Sequence, residues 1–224
     1  MTTILITGAN RGIGLEFVRQ YADEGAKVHA CCRNPDKADD LKALKGDITL
    51  HALDVTDVAA IKALSKDINE PFDILIVNAG HGTRGEGDFG DLDYEVWKKF
   101  LDVNLYGAVA TAEAFAPQVK KAKGKIAFLS SKMGSIEDAS GGAMAYRTSK
   151  TALNMASKVV AAALAASGVA VGVFHPGWVK TDMGGPSALI DTQTSVSGLR
   201  DQISKLKPGS SLHLVAYDGD IIPW

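Results

Sequence analysis

Seven short runs rich in Val, Ile, Leu and Ala alternate with segments of helical period along the chain: Thr3–Thr7, Lys27–Cys31, Thr49–Leu53, Ile74–Asn78, Lys125–Ser130, Val169–Phe174 and Ser211–Tyr217. Few polar residues interrupt them, as expected of strands covered on both faces. Between them, Asn34-Pro35 sets a capping residue before a proline at a first helical position. Ile61, Leu64 and Ile68 repeat at helical spacing, and so do Val196, Leu199, Ile203 and Leu206. Strand followed by helix, repeated, requires right-handed crossovers and a parallel sheet with helices on both faces. The pattern predicts an α/β chain, doubly wound on a parallel sheet of about seven strands. With no internal repeat and no linker, residues 1–224 are expected to form a single domain.

Charge and cysteine content narrow the function classes. Lys and Arg number 24 against 26 Asp and Glu, a formal charge of −2, with the two signs interleaved. Such a surface argues against nucleic acid or an anionic membrane as the main partner. The only two cysteines, Cys31 and Cys32, are neighbours, so no disulfide framework is available and a reducing compartment is expected. No metal-ligand set stands out. The first residues carry no charged stretch before their short apolar run, unlike a signal peptide. The longest strongly apolar stretch, Val159–Ala166, is about half of what spans a bilayer. A soluble, cytoplasmic protein is the expectation.

Ligands of open α/β sheets bind beyond the carboxyl ends of the strands. Two segments there break the alternation: the glycine-rich 80–91, with Gly80, Gly82, Gly85, Gly87 and Gly90, and 182–194, with Gly184, Gly185 and Pro186. Both also read as plain surface loops. Thr7-Gly8-Ala9-Asn10-Arg11-Gly12-Ile13-Gly14 follows the first strand and opens the first helix. A helix N-terminus offers free N–H groups and a positive dipole end, and glycines let a pyrophosphate approach the backbone. After the second strand, at Arg33-Asn34, no acid is present to hold a ribose 2′-hydroxyl. Arg33 and Arg11 could instead grip a 2′-phosphate. NADP(H) is therefore favoured over NAD(H) as cofactor.

Tyr-x-x-x-Lys occurs twice, as Tyr94/Lys98 and Tyr146/Lys150, so the spacing alone decides nothing. Context does. Tyr146 lies 15 residues after Ser131, which ends a predicted strand. Positions i and i+4 share a helix face. A lysine ammonium beside a phenol is expected to lower its pKa, making Tyr146 a general acid for a carbonyl, with Ser131 donating to the same oxygen.

With these segments in order, the sequence resembles the short-chain dehydrogenase/reductase family. The matches are Thr7-Gly8-x₃-Gly12-Ile13-Gly14, Leu53-Asp54-Val55, Asn78-Ala79-Gly80, Val103-Asn104-Leu105, Ser130-Ser131, Tyr146-x₃-Lys150 and Pro176-Gly177-x₃-Thr181. Within the family it is most similar to the short carbonyl-reductase branch that includes Sniffer and the C-factor proteins. The branch features are Ser131-Lys132-Met133-Gly134-Ser135-Ile136, the glycine-rich insert before Tyr146, the short lid near 182–194, and the ending Tyr217-Asp218-Gly219…Ile222-Pro223-Trp224.

The resemblance implies a Rossmann-like fold and a role for each residue. Tyr146 would be the acid/base, Lys150 would hold the nicotinamide ribose, and Ser131 would orient the carbonyl. Asn104 would anchor a water that relays protons to Lys150. Asp54 and Val55 would meet the adenine, and Asn78, Ala79 and Gly80 would run beside the adenosine ribose. Pro176, Gly177, Val179 and Thr181 would hold the carboxamide or pyrophosphate end. Two departures stand out. Val77 occupies a position where the family usually has asparagine, and the separation of Ser131 from Tyr146 is about two residues longer than usual, which leaves Ser135 as an alternative serine.

The expected substrate is a small carbonyl or alcohol, apolar or aromatic, because Met133, Trp178, Met183 and Leu189 fall near the expected pocket mouth and no arginine lies in 182–194. Leu105–Val119 carries only Glu113 as a charge and Val159–Ala166 carries none, so a homodimer or homotetramer is expected to cover them. Two further readings remain open: a cofactor-binding, C-factor-like signalling protein, and a 3-oxoacyl-thioester reductase docking its carrier on Lys98 and Lys99.

Overall fold

In a computed structural model describing residues 1–82, 87 and 89–224, the chain folds around one twisted sheet. The strands are β1 (Thr3–Thr7), β2 (Lys27–Cys32), β3 (Asp47–Ala52), β4 (Ile74–Val77), β5 (Lys125–Leu129), β6 (Ala170–His175), β7 (Leu214–Ala216) and β8 (Ile221–Ile222). Their order is β3-β2-β1-β4-β5-β6-β7-β8. Every pairing is parallel except the last, in which β8 returns antiparallel on β7. The seven predicted strands are all present. The eighth, two residues long, lies within the expected C-terminal signature but is too short to show a strand period.

The helices are α1 (Gly12–Asp23), α2 (Asp39–Lys42), α3 (Val58–Asp67), α4 (Tyr94–Leu101), α5 (Ala108–Ala122), α6 (Met144–Leu164) and α7 (Thr192–Ser204). They cover both faces of the sheet, and alternation along each strand divides the core between them. Leu5, Cys31, Leu75, Ile126 and Phe128 point to the face covered by α3, α5 and α6. Ile4, Ile6, Cys32, Ile76 and Ala127 point to the face covered by α1, α2 and α7. The neighbouring cysteines thus lie in opposite halves of the core, both free thiols.

β1 sits between β2 and β4, and the chain departs from β1 and β4 to opposite sides. This is the switch point where an open parallel sheet leaves a crevice at its carboxyl edge. The 80–91 segment begins at that edge; residues 83–86 and 88 of it, Gly85 included, lie outside the described residues. Among the described residues no helix is long and apolar enough to cross a membrane.

Candidate active site

The turn after β1 is shaped by close backbone approaches. Gly8 has φ +67°, and a Cβ there would stand 2.9 Å from Ala79 Cα. Gly12 has φ +54° and faces the Thr181 methyl, which would lie 3.2 Å from an added Cβ. A side chain at either position would be strained and would fill the turn. The helix that follows starts with no side chain over its end. Helices α3, α4 and α7 begin on Asp57, Asp93 and Asp191, each accepting backbone N–H groups. Helix α1 begins on Arg11 with no side-chain cap and no acid in its first turn. Its positive end therefore opens onto a glycine cradle, a fit for a pyrophosphate.

The rest of the cradle is tied together by Thr7, which is fully buried. Its hydroxyl accepts the N–H groups of Asn78 and Ala79, both at 3.1 Å. The Asn78 amide in turn donates to the Thr7 and Gly8 carbonyls at 2.9 and 3.2 Å. In the sequence Thr7 stands only as part of a motif, because its contact to Asn78 spans 71 positions. Asn10 is exposed on the same turn and Ile13 is half-buried. Beyond β3, the Asp54 carboxylate accepts the Thr56 N–H and hydroxyl. Those bonds, with Arg33 nearby, hold it below the usual carboxylate range, while Val55 is buried beside it. Arg33 is exposed at the end of β2. Arg11 reaches the other way, pairing with Asp182 at 2.8 Å across the cleft.

After β6, Gly177 takes φ +86° and Pro176 accepts the Ser195 hydroxyl at 2.6 Å. Val179 bridges to Ile190, and Lys180 N–H donates to Ile190 O at 2.8 Å, so 179–190 forms a closed loop. Thr181 Oγ1 accepts the Gly184 N–H, leaving its methyl toward Gly12.

At the other end of the cleft, β5 and α6 meet. Ser131 is the second residue past the strand end and caps a single 3₁₀ turn by accepting the Met133 N–H at 3.1 Å. Its side chain hydrogen-bonds that of Tyr146 on α6. Ser135 is occupied elsewhere, accepting the Asp138 N–H. Ser131 is therefore the serine brought to the tyrosine. One turn along α6, Lys150 is buried and its Nζ donates to the Leu129 carbonyl at 2.9 Å. Between α4 and α5 the backbone widens into a π-helical turn, Asp102–Gly107, that turns Asn104 fully inward. Asn104 Oδ1 accepts the His81 N–H at 2.7 Å, and its amide donates to His81 O and Ser149 Oγ. Gly80 lies against this cluster: a methyl there would meet Asn104 Oδ1 at 3.6 Å and Lys150 Nζ at 3.8 Å. The single sequence thereby brings Ser131, Tyr146, Lys150, Asn104 and Gly80 to one end of a cleft whose other end is the glycine turn.

The family model described as short chain dehydrogenase matches residues 2–189. The chain belongs to the short-chain dehydrogenase/reductase family. It is 38% identical over 156 residues to the C-signal protein of Myxococcus xanthus, covering 69% of this chain and 93% of that one. It is 32% identical to 1-hydroxy-2-glutathionyl-2-methyl-3-butene dehydrogenase of a Rhodococcus species, over the whole of both chains. Among solved structures it is similar to the carbonyl reductase Sniffer of Drosophila melanogaster, at TM-score 0.94 and 33% identity over the full length of both. An NADPH-bound carbonyl reductase from chicken fatty liver superposes at TM-score 0.91 and 30% identity, over 100% of this chain and 99% of that one. The branch expected from the sequence, Sniffer on one side and C-factor on the other, is the one found.

Contrary to the expectation from the sequence, the Tyr146 pKa is not lowered. Burial instead pushes the phenol above its ordinary value, and the Ser131 hydrogen bond pulls it only partly back. The ammonium is 5.9 Å from the tyrosine ring centroid and is spent on the Leu129 carbonyl. Burial drives Lys150 itself down to about 8. At neutral pH the tyrosine accordingly holds its proton, the state of an acid rather than a base. Trp178, Met183 and Leu189 are exposed on the 178–190 segment, with Met183 lying against Gly82, and Met133 lines a cavity near α6.

Because Lys150 is held near 8 rather than at its ordinary 10.5, only the unfolded chain carries this proton between those values. The buried charge therefore costs stability at every pH below about 8, and the cost fades as pH climbs toward 10.5. Because Lys150→Met also severs the bond to the Leu129 carbonyl, the cost is read from the pH trend: calorimetry should show the Tm of the native protein gaining on that of Lys150→Met between pH 8 and 10.5, by roughly 2–4 °C for each kcal/mol of relieved cost. A Tm difference that does not change over that range would show that the ammonium carries no such cost.

Proposed function

We propose that this protein is an NADP(H)-dependent oxidoreductase that reduces a ketone or aldehyde to an alcohol, with Tyr146 as the proton donor. The observation that carries the reading is the Ser131–Tyr146 hydrogen bond with Lys150 one turn further on, at the end of a cleft that starts at the uncapped N-terminus of α1. The likeness to two carbonyl reductases, one of them NADPH-bound, supports both the reaction and the cofactor.

Gly12, Ile13 and Gly14 would offer backbone N–H groups to the pyrophosphate, with Gly8 and Asn10 shaping the approach. Asp54 and Val55 would flank the adenine, and Asn78, Ala79 and Gly80 the adjoining ribose. Pro176, Gly177, Val179 and Thr181 would hold the carboxamide end. Arg33 would take the 2′-phosphate, while Arg11, drawn to Asp182, would latch the 179–190 loop over the glycine turn. A nicotinamide held by these residues would supply hydride chemistry for a carbonyl.

The chain's own residues manage the oxygen. Ser131 donates a hydrogen bond to it, and Tyr146, kept protonated by burial, gives up its proton as negative charge develops. The Lys150 ammonium then faces a phenolate, the charge state that it favours. Asn104 braces His81 against α6 beside Lys150, where a relayed proton would return. The substrate is a small, uncharged carbonyl compound presented from the 178–194 side, with Trp178, Met183 and Leu189 free to cover it. Residues 1–224 act as a single domain with 182–194 as its short substrate loop.

A second reading, signalling through cofactor occupancy, draws on the likeness to C-signal. The two readings part at Tyr146, for which a sensor has no chemical need. Exposed Tyr106, Met155 and Val159 leave an apolar face along the π turn and α6, which a second copy of the chain would cover.

Against a panel of ketones and aldehydes, Tyr146→Phe should lower kcat/KM for NADPH-driven reduction by about 10²–10⁴-fold. Full activity in that variant would overturn the mechanism. Arg33→Ala should weaken NADPH binding by roughly tenfold or more, the loss of a charge-assisted hydrogen bond, and leave NADH binding nearly unchanged. Equal losses in titration calorimetry would sink the preference for NADP(H). Sedimentation at micromolar concentration should show a dimer or tetramer, and a monomer alone would remove the subunit interface.

A further inference from the structure

A cavity of about 290 Å³ lies beside the reaction centre rather than over it. Phe89, Met133, Ile136, Ala139, Met144 and Arg147 are among the residues that line it, and with Phe89 and Ile136 exposed its mouth is open. On α6 its lining residues Met144, Arg147, Thr148 and Thr151 fall at i, i+3, i+4 and i+7, one stripe of the helix. At about 100° per residue, that stripe lies about 130° around α6 from the one bearing Tyr146 and Lys150. Among the described residues, neither Ser131, Tyr146, Trp178 nor Met183 lines it.

The polar groups of the wall are engaged with protein. Ser135 Oγ accepts the Asp138 N–H at 3.2 Å. Thr148 Oγ1 accepts the Trp97 indole N–H at 3.0 Å and donates to Met144 O at 2.7 Å. The Thr151 hydroxyl lies 3.0 Å from both the Gly134 and the Arg147 carbonyl. The Arg147 guanidinium donates to Gly142, Met133 and Asp138 carbonyls and to Ser140 Oγ, at 3.1 to 3.4 Å. What these bonds leave facing the space is mostly apolar surface. With the Arg147 donors already taken by these groups, a charged ligand would find little to replace its hydration, whereas an apolar one needs none. Dry apolar cavities of about 150 Å³ already accept benzene.

We infer that this cavity is a second small-molecule site, separate from the carbonyl site, for an uncharged apolar ligand the size of a substituted benzene. The site is coupled to the reaction centre by short paths. Met133, in its wall, donates its N–H to the Ser131 hydroxyl, which in turn bonds Tyr146. Arg147, also in the wall, follows Tyr146 in sequence and holds the Met133 carbonyl. The coupling rests on the function proposed above; the binding site does not.

Toluene is a suitable probe, since it has neither carbonyl nor hydroxyl and cannot serve as substrate or product. Ligand-observed NMR on the full chain should show saturable binding. Ala139→Phe, which overfills the space, should weaken it by roughly tenfold or more. Met144→Ala, which enlarges the space, should keep toluene binding and tighten that of bulkier p-tert-butyltoluene. In NADPH-driven reduction of diacetyl, toluene should change kcat and leave KM in place. Absence of saturation, binding unaffected by Ala139→Phe, or competition with diacetyl would overturn the inference. A protein inactive on every carbonyl that binds toluene with this variant pattern would sink the proposed function and uphold the site.

Discussion

A buried ammonium has to donate its protons to something, and in this protein Lys150 donates to the last carbonyl of β5. That bond joins α6 to the centre of the sheet and sets the distance from Ser131, two residues past Leu129, to Tyr146, one turn before Lys150. A seam of smaller contacts repeats the joint. Ser130 Oγ lies 2.5 Å from Asn154 Oδ1, and the Asn154 amide donates to the Gly134 carbonyl. Thr151 reaches the same carbonyl. The helix is thereby locked in rotation as well as position, so the phenol and the serine hydroxyl meet without a ligand to draw them together. Desolvation weakens the lysine's hold on its proton, which is the physical cost of burying a cation beside Tyr146.

The nucleotide end of the cleft is held by neutral groups instead. Thr7 has no charge to contribute; its hydroxyl simply closes the gap between β1 and the turn after β4 by accepting two backbone N–H groups. This frees the glycine turn from supporting itself, and α1 can leave its first N–H groups without a cap. The Arg11–Asp182 pair across the cleft is well exposed on both sides, so it contributes little to stability and can open at low cost. A strong hold at the catalytic end and a weak one over the phosphate turn suit a cleft that must admit and release a large ligand.

The likeness to solved reductases at about one-third identity covers the sheet and the Ser-Tyr-Lys end alike. Fold alone does not assign chemistry, since one architecture hosts many reactions; the proposed reaction rests on the side chains that converge at β5 and α6. The apolar residues of the 178–190 segment lie at the surface, and the half-open cavity lies on the far side of Met133. Arg147 links the two regions, with its side chain pinning the 138–142 loop next to the tyrosine.

Local order was readable from the sequence wherever it depends on near neighbours. The parallel strands are visible because each is an apolar run, and the phosphate turn because its glycines fall between a strand and a helix. Tyr146 and Lys150 share a helix face through their spacing alone. β8 escaped because two residues make no period, and the π turn because nothing local marks the one that swings Asn104 onto His81, 23 positions away. The choice of Ser131 over Ser135, the Thr7–Asn78 joint, the upward push on the Tyr146 proton and the off-axis cavity were decided by the tertiary structure. Each is set by which groups are buried together across long stretches of chain, and desolvation acts on neighbours in space whatever their distance in sequence.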